Sequence, residues 1–285
     1  MNDRKIRIGF VYNALVPRAS DLVASLIDSL GLAERAWTSA ADSVAERERE
    51  LSETSTVITA GGDGTILRTV RVTAPYDVPI LSINLGKVGF MSELEVDVAE
   101  AGIARYLGGS AKAAWIDDRM MLRASVTLAS GQQGHEADAL NEVALSRGQT
   151  AKLLNVEASV DGAELTTYRA DGMLVSTATG STGYAMAAGG PLINPRSSDM
   201  LLLPVAPHMC LNTCLVLPGE TVVSLRVGNE ADTLLSVDGD PVAHLSPGDT
   251  VTVSRSPHIA SFVRLRPPGD FYATLTRRLG IVDRA

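Results

Sequence analysis

The chain has 285 residues, enough for one large core or two modest ones, and two domains is the expectation. Hydrophobic residues make up 45% and charged residues 20%, a globular balance, while aromatics at 4% leave the core to Val, Leu, Ile and Ala. A net charge of −8 argues against nucleic-acid binding, which demands a basic face, and leaves compact anionic ligands open.

The first hundred residues alternate strand-like and helix-like patterns. Ile6 to Tyr12 reads as a strand, and Ser20 to Leu30 as a helix with Leu22, Val23, Leu26, Ile27 and Leu30 on one side. Val44 to Leu51 is expected as a charged, exposed helix. Thr56 to Ala60 is a strand, Thr65 to Val72 opens a helix, Val78 to Asn84 is a further strand, and Ala99 to Leu107 a helix before Gly108-Gly109-Ser110. Alternation of this kind implies a parallel sheet whose ligand crevice lies beyond the carboxyl ends of its strands, where Asp63 and Asn84 fall.

From about Trp115 the texture changes to short runs of alternating polarity: Arg119 to Leu128, Glu136 to Ser146, Leu153 to Val160, Gly172 to Ser176 and Thr221 to Val227. Turn signals at Ser130-Gly131, Asp161-Gly162, Pro218-Gly219 and Pro247-Gly248-Asp249 separate them, the pattern of an all-β sandwich or open barrel. Phe262 to Leu265 and Phe271 to Leu279 then read as a strand and an amphipathic helix that return to the first domain. The expected organisation is an α/β N-terminal domain with a mostly parallel sheet, 1–112 joined by 258–285, and an all-β, sandwich-like domain over 113–257.

Two cysteines, Cys210 and Cys214, make no disulfide framework, and no second Cys or His cluster completes a zinc site. The polar start Met1-Asn2-Asp3-Arg4-Lys5 is too short for a signal peptide, and no apolar run approaches the ~18 residues of a membrane span. A cytoplasmic protein with no membrane partner is expected.

Four segments carry chemistry. Gly61-Gly62-Asp63-Gly64-Thr65 joins a strand to a helix. Its glycines leave the backbone free to adopt positive φ and to aim N–H groups at a phosphate while Asp63 faces the attacking group. An ordinary βα turn would use the same residues for conformational reasons alone. Ser176 to Pro191 is a hydroxyl- and glycine-dense loop whose Ser and Thr side chains suit ribose or phosphate oxygens and whose Tyr184 could stack on a base; tight packing of a small-residue helix is the alternative. Asn141-Glu142 places an amide and a carboxylate inside an apolar strand, offering acceptors for a ribose diol or an exocyclic amine, or else marking an exposed strand edge. Ser236-Val237-Asp238-Gly239-Asp240 reads by itself only as an Asp-Gly hairpin turn. A P-loop, an intact G-x-G-x-x-G, zinc-site spacings and a nucleophile elbow are all missing from the sequence.

Together, Gly61–Thr65, Asn84 to Phe90, Asn141-Glu142, Asp171-Gly172, Thr179–Ala187 and Asp238-Gly239 resemble the NAD kinases in order and spacing over nearly the whole chain. The glycine turn alone is shared with lipid kinases and phosphofructokinase-like enzymes; the Asn-Glu pair and the TGSTGY loop narrow the resemblance. Lipid kinases would want a membrane-binding stretch, and a non-catalytic NAD sensor would lack the carboxylate. The resemblance implies transfer of a phosphoryl group from ATP, another nucleoside triphosphate or polyphosphate, with a divalent cation such as Mg²⁺, to the 2′-hydroxyl of the adenosine ribose of NAD. It implies Asp63 as general base and Gly64 and Arg68 as ligand contacts. Asn141 and Glu142 would hold the nicotinamide-side ribose or amide. Lys152, Arg169, Asp171 and Ala206 fall at binding positions, and Thr182, Gly183, Tyr184, Ala185, Met186 and Ala187 would line the adenosine pocket. No residue is implied as a metal ligand. A homodimer or homotetramer is implied, with a neighbouring subunit finishing the pocket. Asp240 departs from the pattern, where glutamine often follows Asp-Gly.

Overall fold

The computed structural model describes residues 7–86, 89–109, 114–148, 152–228 and 232–278. Ile6, Lys87, Val88, Ser110 and Leu279, which fall in expected elements or motifs, lie outside the described residues. The chain divides into two compact units: Met1–Asp118 with Ala260–Ala285, and Arg119–Ile259.

The first unit begins β1 (Arg7–Tyr12), α1 (Arg18–Ser29), β2 (Ala36–Ala40), a 3₁₀ segment (Ala41–Arg47) running into the short α2 (Glu48–Leu51), and β3 (Thr54–Gly61). It continues through α3 (Asp63–Thr73), β4 (Ile80–Asn84), β5 (Leu94–Glu95) and α4 (Val96–Leu107). Every strand pairing here is parallel, in the order β2-β1-β3-β4, with β5 extending β4. Parallel strands are covered on both faces, and β4 is buried at all five positions. Side chains alternate between two apolar layers. Ile8, Phe10, Ile58 and Ala60 join Val23 and Leu26 of α1 and Ala99 and Ile103 of α4 in one cluster. Val11 and Val57 join Trp37, Ala41, Val44 and Leu51 in the other. The sequence pattern over 44–51 promised one helix; Val44 and Leu51 are instead buried, and the backbone tightens to 3₁₀ geometry before a single α turn.

The second unit starts within β6 (Trp115–Thr127) and contains β7 (Gln133–Ala139), β8 (Glu142–Arg147), β9 (Leu154–Val160), β10 (Ala163–Ala170) and β11 (Gly172–Thr177). A 3₁₀ turn (Thr179–Thr182) and the one-turn α5 (Tyr184–Ala187) follow. Then come β12 (Met200–Val205), β13 (Leu215–Leu217), β14 (Val223–Val227), β15 (Thr233–Val237) and β16 (Asp240–Leu245). Its sheets are antiparallel. One holds β10-β9-β14 and the first part of β17 (Thr250–Arg264), with β6 and β7; the other has the order β13-β12-β11-β8-β15-β16. Leu122, Val156, Leu225 and Val251 of one sheet share a core with Val143, Met173, Leu202 and Leu235 of the other, the arrangement of a sandwich. Glu136 to Ser146, expected as one strand, breaks at Leu140-Asn141 into β7 and β8.

The end of β17 and α6 (Asp270–Arg278) belong to the first unit, where Phe262 pairs in parallel with Ile80. A buried carboxylate secures this return. Glu93 accepts the Leu265 and Arg266 amides, both at 2.8 Å, and the Arg264 guanidinium at 3.3 Å, while Arg264 Nε reaches Asp117 at 3.1 Å. No helix among the described residues is long and apolar enough to cross a membrane.

Candidate active site

In the first unit the chain leaves β1 toward β2 on one side and returns through β3 and β4 on the other. Strand order therefore reverses between β1 and β3, and open α/β sheets bind ligands at the carboxyl edge of such a reversal. The glycine turn leaves β3 at that edge. Gly62 caps α3, and Asp63 is the first helical residue, two positions earlier than the apolar spacing indicated. None of Gly61, Gly62 and Gly64 takes positive φ, so the turn uses glycine for clearance rather than for left-handed backbone. A Cβ on Gly61 would overlap the Thr65 side chain, whereas Gly62 and Gly64 border open space at the helix N-terminus, where backbone dipoles favour an anion.

The Asp63 carboxylate is held from the far side of the turn. Phe90 N–H donates to Oδ2 at 3.1 Å and Met91 N–H to Oδ1 at 3.4 Å. Gly89 has to be glycine, because a side chain there would occupy the place of Asp63 Oδ1. Asn84, at the end of β4 beside Gly61, is 2% exposed and donates to Glu95 at 3.2 Å. Arg68, five residues along α3, forms an exposed ion pair with Asp42 at 2.9 Å.

In the second unit, Asn141 and Glu142 stand at one end of β8 against the 3₁₀ turn and α5. The Asn141 carbonyl accepts the Thr177 amide at 2.9 Å and the Ser176 hydroxyl at 3.1 Å. Thr177 Oγ1 donates to the Leu140 carbonyl at 2.6 Å and accepts the Gly180 amide at 3.0 Å. Gly180 lies so close to the Asn141 carbonyl that a Cβ would collide with it, and one on Gly183 would sit 3.4 Å from Glu142 Oε2. The Asn-Glu pair and the loop of Thr182, Gly183, Tyr184, Ala185, Met186 and Ala187 therefore form one constellation. Ala185 is its buried anchor, packed with Ala144, Leu174 and Leu201, while Tyr184 remains 43% exposed.

Glu142 is 7% exposed, and its Oε2 has no hydrogen-bond partner. Burial first, and the nearby Asp238 carboxylate second, push its pKa up to about 7, against a lowering hydrogen bond from the Tyr184 backbone. A buried acceptor without a donor is a place for a ligand hydroxyl or amine. Two further residues adjoin this constellation: the nearly buried Arg119, which no sequence motif marked and whose guanidinium donates to Thr179 Oγ1 at 3.3 Å, and Asp238, which the sequence marked only as part of a turn.

The remaining candidates gather elsewhere. Ser176 pairs with Glu142, but Gly172 pairs with Ser146, so Asp171 sits at the opposite end of the same two strands, where Arg147 Nε meets its carboxylate at 3.2 Å. Ala206 follows β12 at that end with φ 45°, and the Asp171 amide bonds the Val205 carbonyl at 3.0 Å. Arg169 is exposed; its carbonyl accepts the His208 amide at 2.7 Å. Lys152 is exposed just before β9, whose Leu154 pairs with Ala170. Asp240 begins β16 opposite Val237.

The family description "ATP-NAD kinase N-terminal domain" matches residues 15–111, and "ATP-NAD kinase C-terminal domain" matches 140–265. An NAD kinase from Dehalococcoides mccartyi is 40% identical over 276 residues, spanning 96% of this chain and 95% of its own. One from Chloroflexus aggregans is 37% identical over 276 residues, with 96% and 98% covered. Among solved structures, yeast NADH kinase complexed with NADH shares the fold at TM-score 0.86 and 22% identity, covering 98% of this chain and 89% of that one. An NAD kinase from Archaeoglobus fulgidus in complex with ATP does so at TM-score 0.73 and 24% identity, with 98% and 100% covered. The glycine turn that carries Asp63 and the buried Asn141-Glu142 end of β8 thus stand in a chain related to NAD kinases over nearly its full length, and the chain belongs to the NAD kinase family, phosphotransferases with an alcohol acceptor that convert NAD to NADP.

Proposed function

We propose that Asp63 is the general base of NAD phosphorylation in this chain, taking the proton of the adenosine-ribose 2′-hydroxyl as that oxygen attacks the γ-phosphorus of ATP and the bond to the β,γ-bridging oxygen breaks, releasing ADP. The observation that carries this reading is the clamped carboxylate: two backbone amides and the gap left by Gly89 fix it on the turn that leaves β3. A ribose hydroxyl is a poor nucleophile at neutral pH, and a carboxylate within hydrogen-bond reach accepts its proton as the new bond forms. Phosphoryl transfer then depends on in-line positioning and charge stabilisation. The N-terminal end of α3, with Gly62 and Gly64 uncovered, suits the donor phosphates. Among the described residues, no group of three or more His, Cys, Asp and Glu forms a metal cage. A divalent cation such as Mg²⁺ would come with the donor phosphates and would offset their charge during transfer.

Asn141 and Glu142 hold the nicotinamide-side ribose or amide, Thr182 to Ala187 line the adenosine pocket, and Arg68 contacts the dinucleotide after giving up Asp42. Lys152, Arg169, Asp171 and Ala206 contribute to binding from a neighbouring subunit of a homodimer or homotetramer. The support is that Asp171 and Glu142 occupy opposite ends of paired strands. Two free thiols, Cys210 and Cys214, support a reducing, cytoplasmic setting. The test is direct. Incubated with NAD, ATP and Mg²⁺, the wild-type protein makes NADP, read by an NADP-specific dehydrogenase. Asp63→Asn should lose about 10³-fold or more in turnover, yet bind NAD in calorimetry. Near wild-type turnover in Asp63→Asn would remove the assignment.

A further inference from the structure

The Asp-Gly turn between β15 and β16 does more than reverse the chain. Asp238 and Gly239 have φ of 49° and 84°, two successive positive values that define a type I′ hairpin. From that position the Asp238 carboxylate accepts three consecutive amides: Leu140 at 3.0 Å, Asn141 at 2.7 Å and Glu142 at 3.2 Å. Its own amide donates to the Glu142 carbonyl at 2.9 Å. These are the amides freed where β7 ends and β8 begins, beside the fully buried Leu140, and leaving them unpaired would be costly.

We propose that Asp238 is the positioning residue of the dinucleotide edge, fixing the backbone of Asn141 and Glu142 so that both side chains meet the substrate. The proposal rests on the reading of Asn141-Glu142 as the pair that holds NAD. Residue choice separates it from a mere turn role. Asparagine suits a type I′ turn as well as aspartate does, but it offers one carbonyl oxygen and no charge. Asp238→Asn therefore keeps the hairpin and weakens the grip on 140–142.

Among the described residues, Asp238 is the charged group acting on Glu142. The other elements against it bring the Tyr184 amide from α5 and Ser176 from β11, both uncharged. Asp238 raises the Glu142 pKa, so removing its charge lowers that pKa. If ionised Glu142 accepts the substrate's hydroxyls, the acid limb of kcat/KM for NAD must move to lower pH in Asp238→Asn.

The experiment compares wild type, Asp238→Asn and Glu142→Gln in KM for NAD and for ATP, in pH profile, and in amide exchange at 140–142. Asp238→Asn should raise KM for NAD about tenfold, leave KM for ATP within about twofold, speed exchange at the three amides and shift the limb; Glu142→Gln should abolish the limb. Unchanged exchange and an unchanged limb in Asp238→Asn overturn the proposal. So does a parallel rise of both KM values with a fallen Tm, which marks general damage. If Glu142→Gln leaves KM for NAD at the wild-type value, the reading of the Asn-Glu pair fails, and the exchange data still decide whether Asp238 holds the turn.

Discussion

Burying Glu142 beside Asp238 costs the fold stability once the carboxyl ionises. Its folded pKa of about 7 lies above the ordinary 4.5, so the folded state keeps a proton that the unfolded chain releases. Between those values the folded state binds more protons, and stability falls as pH rises through the window. The loss saturates at about 3 kcal/mol above pH 7, because each pKa unit is worth about 1.4 kcal/mol. Glutamine keeps the shape and cannot ionise. Glu142→Gln without ligand should therefore melt higher than wild type at pH 8, and by much less at pH 5, while its KM for NAD rises. Equal Tm differences at the two pH values, measured by calorimetry, would show that the carboxylate's ionisation does not strain the fold. Glu142 Oε2 also lacks a hydrogen-bond partner, a local cost of the kind that natural sequences carry at functional sites.

At the scale of elements, the glycines of the two motifs do different jobs, and single methyl groups separate them. Gly180 packs its Cα against the Asn141 carbonyl, an atom already fixed by Ser176 and Thr177. Gly180→Ala must push the 3₁₀ turn away, at about 2 kcal/mol for an overpacked site, or roughly 5 °C in Tm, and KM for NAD should rise with it. Gly64 borders open space, so Gly64→Ala should leave Tm unchanged within about 1 °C and slow turnover by crowding the donor phosphates. A fall in Tm for Gly64→Ala, or none for Gly180→Ala, would reverse these roles.

The same contrast explains what could be read in advance. The parallel alternation, the Asp-Gly turns and the glycine turn are local patterns, and they were legible. Met200–Val205 was not, since an unbroken apolar run buried on both faces has no period of two. Nor was the grip of Asp238 on residues 96 to 98 positions away, because a hairpin turn looks the same whatever its carboxylate touches. The amides that clamp Asp63, at Phe90 and Met91, were hidden for a similar reason: any residue carries an N–H, so a backbone donor leaves no mark in the sequence.

At the scale of the whole molecule, the two ends of β8 and β11 pose one question. Glu142 and Ser176 are register partners at one end and Ser146 and Gly172 at the other, roughly 14 Å along the strands. β11, between β8 and β12, is buried at all six of its positions. The proposed sharing of sites has Asp171 serve the dinucleotide bound to a neighbouring chain, as closed homo-oligomers allow. Glu142→Ala and Asp171→Ala should then each be inactive alone and recover activity when their subunits are mixed. In a random equal mixture, a site takes intact Glu142 from one subunit half the time and intact Asp171 from its neighbour half the time. About a quarter of wild-type activity should return. Recovery is measured as NADP formation after co-refolding, against each variant refolded alone. If both residues act on a dinucleotide bound within one chain, every mixed site still lacks one of them, and mixing returns nothing.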